Sequence, residues 1–536
     1  MAKTVGEVLI ELLERRGVDT VFGIPGVHTV EMYRGLKASK IRHITPRHEQ
    51  GAGFMADGYA RATGKPGVCL LITGPGVTNA ITPMAQARAD SVPMLVISGV
   101  NPAATFGHEE GFLHELPNQS AMMREVALWS HTLHRGADLE RVVERAFAAM
   151  TGGRPGPVHI EVPLDVMKQQ IEMPPVRAAV VTLQVPDPAI IADAAKRLRA
   201  AKRPLILAGG GAVGAADNLI TLAERMDAPV VTTTNGRGIL GGHPLRVPAS
   251  PSFPAIREMM AQADLVLAIG TQFGRTDYDM YEDGAAPALH NLIRIDCDPV
   301  QVTRGRLPDL AIVADANAAV AALLQATEGL SNAANTTKNT TTNTGAAIAQ
   351  AARTAAFASL NPAYKSHIAV IDTITRTIPG CRMVGDSTQL IYAGNMYADI
   401  AQPRGWFNAS TGYGALGFGA PAAIGAALGD PETPVVCITG DGGLQFCLSE
   451  LGTAMDEATP VIFVVWNNNG YQEIERYMLD NGIAPEGVKP SAPDFVQVAQ
   501  AYGMGAEAID GLSGFPAALE RARDAGTARL IEIKTP

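Results

Sequence analysis

One repeated feature limits what this chain can fold into: short, wholly apolar runs that stop at glycine or proline and alternate with helical patterns. "DTVFGIPG", "GVCLLITGPG" and "VPMLVISG" come first, then "RPLILAGGGA", "APVVTTTNG", "ADLVLAIG" and "NLIRIDCD", and last "CRMVGDST", "PVVCITGDGG" and "PVIFVVWNNNG". Runs this apolar cannot show a face to water, so each reads as a strand covered on both sides. Strands alternating with helices build parallel sheets coated by helices, which makes the chain α/β with doubly wound parallel-sheet domains. The 55 glycines and an aromatic content of only 5% suit the many tight turns such sheets need.

The runs fall into three blocks. Residues 1–180 form the first, closing with "GPVHIEVPLDV", and the Pro-containing "EMPPVRAAVVTLQVPDP" follows as a connector. Residues 190–328 form a middle, nucleotide-fold-like domain. Residues 329–365 read as a polar linker and connecting helix, opening with "GLSNAANTTKNTTTNTG", which is too polar to join a core. Residues 366–536 form the last domain. A net charge of −10 without any basic run argues against a nucleic-acid partner. The N-terminal "MAKTVGEVLIELLERRGV" is an amphipathic helix containing acids rather than a signal peptide, and no stretch approaches the ~20 apolar residues a membrane span needs. A soluble, cytoplasmic protein is expected. Cys69, Cys297, Cys381, Cys437 and Cys447 show no paired spacing and read as reduced core thiols.

Chemistry concentrates in "GDGGLQFCLSELGTAMDEATPVIFVVWNNNG", residues 440–470. Ligands of open parallel sheets bind at the carboxyl ends of strands. The run at 434–440 delivers Asp441 there, and the run at 460–466 delivers Asn468, with "LQFCLSELGTAMDEA" as the crossover helix between them. On neighbouring strands, the Asp441 carboxylate, the Asn468 side-chain carbonyl and the Gly470 backbone carbonyl would supply hard oxygen ligands. Such a set suits an octahedral magnesium ion completed by phosphate oxygens and water. The amides of Gly442 and Gly443, after Gly440, can hold phosphate at the helix start. Each cluster alone also reads as ordinary turn chemistry, a capped helix at Asp441 and an Asn-Gly turn at Asn469-Gly470.

A GDG followed 27 residues later by an Asn pair resembles the thiamine-diphosphate-binding motif. "RHEQGAGFMADGYARATGKPGVCLLITGPGVTNAITPMAQARADSVPMLVISG" (47–99) is similar to the pyrimidine-binding domain of acetolactate-synthase-like enzymes, and "STGYGALGFGAPAAIGAALG" (410–429) to their second cofactor segment. The resemblance covers the whole chain, in the order pyrimidine-binding, middle and diphosphate-binding domain. It implies decarboxylation of a 2-oxo acid through a C2 carbanion and an enamine, with thiamine diphosphate as the reactive group and Mg²⁺ as its anchor. Glu49 matches the glutamate that shares a proton with the pyrimidine N1′. Leu416 matches the wedge between the two cofactor rings, and the Gly414 carbonyl accepts from N4′. Ser387, Thr388, Gln389 and Tyr471 are further cofactor contacts. Because the family completes each site across an interface, the resemblance implies a homodimer, and a homotetramer as a dimer of dimers.

Departures from the family narrow the substrate. The region that carries a Gly-Met-His-Gly-like segment in FAD-containing synthases reads "HPLRVPASPSFPAIRE", which makes FAD doubtful. The synthases' Phe-Gln-Glu is Leu113-His114-Glu115 here, so His114 either relays a proton or is a surface-loop imidazole. The adjacent His pair of pyruvate decarboxylases is missing. After the Asn cluster, "GYQEIERYMLD" puts Glu473 where the family lines its substrate pocket. A carboxylate there suits a cationic tail such as a guanidinium. This resembles the 5-guanidino-2-oxopentanoate decarboxylase branch. Carboligation of two 2-oxo acids is the alternative outcome, and salt bridging of Glu473 and Glu475 to Arg476 or its neighbours the bland one.

A rival class rests on "LILAGGGAVGAADN", which fits G-x-G-x-x-G at Gly209, Gly211 and Gly214 and would suit an NAD-binding oxidoreductase. The following strand, "APVVTTTNG", lacks the acid expected for ribose, which favours a structural turn or a vestigial nucleotide site.

Overall fold

A computed structural model describes residues 2–175, 181–280, 283–285, 287–329 and 344–535. The apolar runs are strands, and they assemble into three six-stranded sheets. The first contains β1 (Thr20–Phe22), β2 (Arg42–Ile44), β3 (Gly67–Leu71), β4 (Met94–Val100), β5 (Trp129–Thr132) and β6 (Pro157–Pro163) in the order β2-β1-β3-β4-β6-β5. The second contains β7 (Pro204–Ala208), β8 (Val230–Thr232), β9 (Arg246–Val247), β10 (Leu265–Ile269), β11 (Leu292–Asp296) and β12 (Leu310–Val313) in the order β9-β8-β7-β10-β11-β12. The third contains β13 (Arg382–Gly385), β14 (Trp406–Asn408), β15 (Val435–Gly440), β16 (Ile462–Asn467), β17 (Gly505–Asp510) and β18 (Arg529–Lys534) in the order β14-β13-β15-β16-β18-β17. The expected three-domain parallel α/β architecture is therefore what the chain adopts. The outer sheets share one strand order, whereas the middle sheet has the order of dinucleotide-binding folds.

By contact density the chain divides into two compact units. One comprises Met1–Thr182, Val384–Ser387 and Tyr413–Pro536; the other comprises Leu183–Met383 and Thr388–Gly412. In the first unit, α1 (Val5–Arg15) is opened by a capping box in which Thr4 and Glu7 satisfy each other's backbone amides, and its apolar face packs into the core under the first sheet. Three further elements matter here: α2 (Glu49–Thr63), α3 (Pro75–Asn79) and α4 (Gly419–Gly429). α2 and α4 cross backbone against backbone. A Cβ on Gly58 would lie 1.9 Å from the Ala422 carbonyl oxygen, and one on Gly425 would lie 1.9 Å from that of Met55. Only hydrogen at both positions permits this approach.

In the second unit the glycine-rich loop after β7 is filled by the protein itself. A Cβ on Gly209 would meet the Gly270 oxygen at 2.2 Å and one on Gly211 would meet the Gly270 Cα at 2.9 Å, so the loop packs on the turn that follows β10. These two glycines thus have a packing role, as the structural reading anticipated. The helices Gly345–Ser359 and Pro362–Thr377 bury Ala349, Ala352, Ala356 and Ile368 in a cluster with Leu205, Leu207 and Val266 of the middle sheet. The domain start placed at 366 therefore falls inside a helix that belongs to the middle core, and of the expected polar linker, residues 330–343 lie outside the described residues.

Candidate active site

Asp441 and Asn468 leave the sheet side by side. β15 and β16 pair in parallel with Gly440 opposite Trp466, so the residues that follow emerge at one edge. The Asp441 side chain is buried, and its carboxylate accepts from the Gly470 N–H at 2.8 Å and the Asn468 N–H at 3.5 Å. Burial raises its proton affinity, and these amides act in the opposite direction. The turn needs glycine at 470: φ is +135°, and a Cβ would come 2.4 Å from the Val488 oxygen. Gln472 Nε2 donates to the Asn468 carbonyl at 2.7 Å, and Asn467 Nδ2 donates to buried Glu532 at 2.6 Å, which fixes the segment from both sides.

The crossover differs from expectation. In place of one helix there are two, α5 (Asp441–Gln445) and α6 (Glu450–Asp456), with exposed Phe446 in the break. The break brings the Glu450 carboxylate back against the first sheet's elements. It accepts from the N–H groups of Arg47 and His48, each at 3.1 Å, and from the Thr453 hydroxyl at 2.7 Å. Glu450 thereby grips the two residues before Glu49, close enough that a Cβ on Gly51 would lie 2.2 Å from its oxygen. Burial raises its proton affinity against these donors.

Within α5, Gly442 lies under the Tyr471 ring, where a Cβ would be 2.5 Å from Cε1, and a Cβ on Gly443 would lie 3.1 Å from the Asp386 carboxyl carbon. Asp386 was not singled out from sequence. It is fully buried, accepting from Ser387 N at 2.8 Å, Gly417 N at 2.9 Å and Gly419 N at 3.3 Å. Burial pushes it up to about 6 despite these donors. It ties the Gly414–Leu416 turn to the end of β13. The visible signal was the same Gly-Asp at a strand end that marks Asp441. In that turn Gly414 is exposed at φ +79° and Leu416 is half-buried, and Ala415 N donates to buried Gln86 at 3.2 Å. Thr388 and Gln389 open the helix Gln389–Met396 in the second unit.

Glu49 is half-buried in the first turn of α2 and accepts from Asn79 Nδ2, at the end of α3, at 3.0 Å. His114 lies beyond the turn that starts α3, at φ +61°, and its ring is 5.3 Å from that of His28. Glu473 is half-buried in the first turn of α7 (Gln472–Asp480). On the same helix Glu475 pairs with Lys489 at 2.8 Å and Arg476 with Asp480 at 3.7 Å. Four cysteines are buried thiols, Cys69 and Cys381 pushed up to about 12 by desolvation. Among the described residues no helix is long and apolar enough to cross a membrane.

Residues 3–122 match the N-terminal, 191–323 the central and 386–533 the C-terminal domain model of thiamine pyrophosphate enzymes. The chain is 44% identical to a protein named probable 2-ketoarginine decarboxylase from Pseudomonas aeruginosa, over 93% of this chain and 88% of that one. It is 32% identical to the acetolactate synthase isozyme 3 large subunit of Escherichia coli, over 93% and 88%. It is 30% identical to a probable acetolactate synthase large subunit of Methanococcus aeolicus, over 98% and 91%. With its two outer sheets ending in the Glu49 helix and the Asp441–Asn468 turn, the chain belongs to the thiamine pyrophosphate enzyme family and is a thiamine-diphosphate-dependent enzyme.

Proposed function

We propose that this enzyme decarboxylates a 2-oxo acid with a cationic tail, of the 5-guanidino-2-oxopentanoate type, using thiamine diphosphate and Mg²⁺. The observation that carries the cofactor part is Asp441, a buried carboxylate held at the edge of two adjacent strands beside Asn468 and Gly470. One carboxylate, one side-chain amide and backbone carbonyls are a donor set of hard oxygens, which fits magnesium and diphosphate rather than a softer metal. Asp441, Asn468 and the Gly470 carbonyl would hold the ion. The amides of Gly442 and Gly443 would meet the phosphates, with Gly440, Ser387 and Tyr471 around them. Bound there, the cofactor supplies an electron sink for the pair left when carbon dioxide departs.

The chain's own groups do the rest. Glu49, steadied by Asn79 on one side and by Glu450's grip on Arg47 and His48 on the other, holds a proton at the pyrimidine N1′. Leu416 would support the cofactor's rings, and the Gly414 carbonyl would accept a hydrogen bond from its aminopyrimidine. His114 donates a proton to the substrate carbon after decarboxylation, and Glu473 pairs with the substrate's cationic end. Glu49 of one chain serves Asp441 of a second, in a homodimer that can pair again into a tetramer.

The substrate assignment is supported by the contrast in identity, 44% to the relative named for 2-ketoarginine against 30–32% to those named acetolactate synthases. Incubating the purified protein with a panel of 2-oxo acids, thiamine diphosphate and Mg²⁺ tests it by the products. Aldehydes support decarboxylation; acyloins or acetolactate support carboligation instead. Glu473→Gln should raise KM for the guanidino acid and leave pyruvate unaffected, and an unchanged KM removes Glu473 from the pocket.

A further inference from the structure

The Gly414–Leu416 turn is held through backbone amides, and one of its holders is a core side chain of the first sheet's domain. Gly417 N–H and Gly419 N–H donate to Asp386, whereas Ala415 N–H donates to Gln86 Oε1 at 3.2 Å. Gln86 is wholly buried, on the helix Ile81–Asp90.

An amide side chain can be turned two ways, and here its neighbours decide. Gln86 Nε2 donates at 2.7 Å to Oδ2 of Asp90, one helical turn further on. The same oxygen accepts from Arg61 Nη2 at 2.7 Å, and Arg61 Nε donates to Asp57 Oδ1 at 2.5 Å. These three side chains are 0% (Asp57), 8% (Arg61) and 4% (Asp90) exposed, so water does not compete for them. A carboxylate paired with a guanidinium accepts hydrogen bonds and donates none. Gln86 must therefore give its NH2 to Asp90 and its oxygen to Ala415. The Arg61 guanidinium also lies 5.5 Å over the Phe418 ring, which packs edge-on against Phe54 of α2. The same ion pairs thus brace the turn at Ala415 and again at Phe418.

Peptide planarity carries this hold one atom further. Ala415 N–H and Gly414 C=O belong to one peptide unit, and no peptide bond among the described residues is cis. In a trans peptide the two groups point in opposite directions. An N–H drawn into the core by Gln86 therefore sends the Gly414 carbonyl outward, on the exposed side of the turn. Gly414 imposes no such choice by itself: at φ +79°, with nothing within 4 Å of a Cβ, it is free to let that peptide rotate.

We propose that Gln86 is a positioning residue that orients the Gly414–Ala415 peptide and so aims the Gly414 carbonyl at the cofactor's aminopyrimidine, its own amide being keyed by the Asp57–Arg61–Asp90 triad. This rests on the cofactor assignment above. Gln86 acts through the backbone and not by touching substrate or cofactor. An apolar side chain of equal length would fill its space and strand the Ala415 N–H, so packing alone does not account for an amide there.

Hydrogen–deuterium exchange of the cofactor-free protein, read at single residues, tests the bond itself. Ala415 N–H should exchange about tenfold faster in Gln86→Met, which keeps the length and loses the acceptor, while the Gly417 and Gly419 amides stay within about threefold of wild type. Calorimetry with Mg²⁺ then compares thiamine diphosphate with the analogue whose 4′-amino group is replaced by hydrogen. Wild type should favour the natural cofactor by about tenfold, and Gln86→Met by less than about threefold. Gln86→Glu, whose carboxyl shares a proton with Asp90 and turns its other oxygen to Ala415, should stay near wild type in both measurements, and it decides the matter if Gln86→Met does not fold. Unchanged exchange at Ala415 in Gln86→Met overturns the proposal, as does an equal cofactor preference in wild type and Gln86→Met, or loss of protection and preference in Gln86→Glu. Should the wild type take up no thiamine diphosphate, the cofactor reading fails and the aim of the carbonyl with it. Uptake whose preference survives in Gln86→Met sinks the role of Gln86 alone.

Discussion

Replacing Gly58 by alanine strikes the closest approach in the first unit. The new methyl would lie 1.9 Å from the Ala422 oxygen, and ordinary carbon–oxygen contact requires about 3.3 Å, so α2 and α4 must part by roughly 1.4 Å. Alanine gains about 1 kcal/mol of helix propensity over glycine, whereas overpacking against an immovable carbonyl sits at the top of a range of about 1–3 kcal/mol. The net loss is about 2 kcal/mol, or roughly 3 °C in melting temperature for a unit of this size, at about 2.1 cal/mol/K of unfolding entropy per residue. Function suffers more than stability, because α2 starts at Glu49 and α4 follows the Gly414–Leu416 turn. A displacement of about 1 Å between positioning groups costs on the order of 10²-fold in rate. Differential scanning calorimetry and kcat/KM measure the two effects. Gly425→Ala should act alike, since its methyl meets the Met55 oxygen across the same crossing. The double variant should cost less than the sum, because helices already parted admit the second methyl. Gly214, with nothing within 4 Å of a Cβ, is the control and should melt within about 1 °C of wild type. A Gly58→Ala protein that melts and turns over like the wild type would refute the close-crossing argument.

Other expected outcomes follow from buried charge. His159, wholly buried between Ser98 and Ser130, is pushed down to about 3 by desolvation. Its contribution to stability is therefore complete above pH ~6.5 and lost as pH falls from there toward 3, by up to about 1.4 kcal/mol per pH unit. Urea unfolding at pH 6.5 and 5 should show about 2 kcal/mol of this loss in wild type and not in His159→Gln; equal losses would contradict it. Glu450→Ala strands the Arg47 and His48 amides, so it should cost about 1–3 kcal/mol and lower kcat roughly tenfold through Glu49 while metal-dependent cofactor uptake persists.

Much of this was legible before any coordinates. The strands expected at 434–440 and 460–466 are Val435–Gly440 and Ile462–Asn467, because uninterrupted apolar runs of that length have little alternative to a buried strand. The paired Gly-Asp and Asn-Gly ends were readable for the same local reason. What escaped was long-range. Nothing between Gln445 and Glu450 breaks a helix locally; the break accompanies a carboxylate whose partners lie 402 and 403 residues away in sequence. Asp386 escaped because its donors, Gly417 and Gly419, lie 31 and 33 residues further on and bring no side chain that would mark the contact. His28 reads as a lone turn histidine until the fold sets it against His114. The shared strand order of the outer sheets is likewise invisible in alternation alone, which says that strands are parallel and not which are neighbours.

Calorimetric titration of thiamine diphosphate into the protein, with Mg²⁺ and then with the metal chelated, bears most directly on the Asp441–Asn468 anchor. Uptake should approach one molecule per chain with Mg²⁺, vanish on chelation, and weaken at least a hundredfold in Asp441→Ala while that variant keeps the wild-type circular dichroism spectrum. Tight uptake that ignores the metal, or that survives loss of the Asp441 carboxylate, would contradict it.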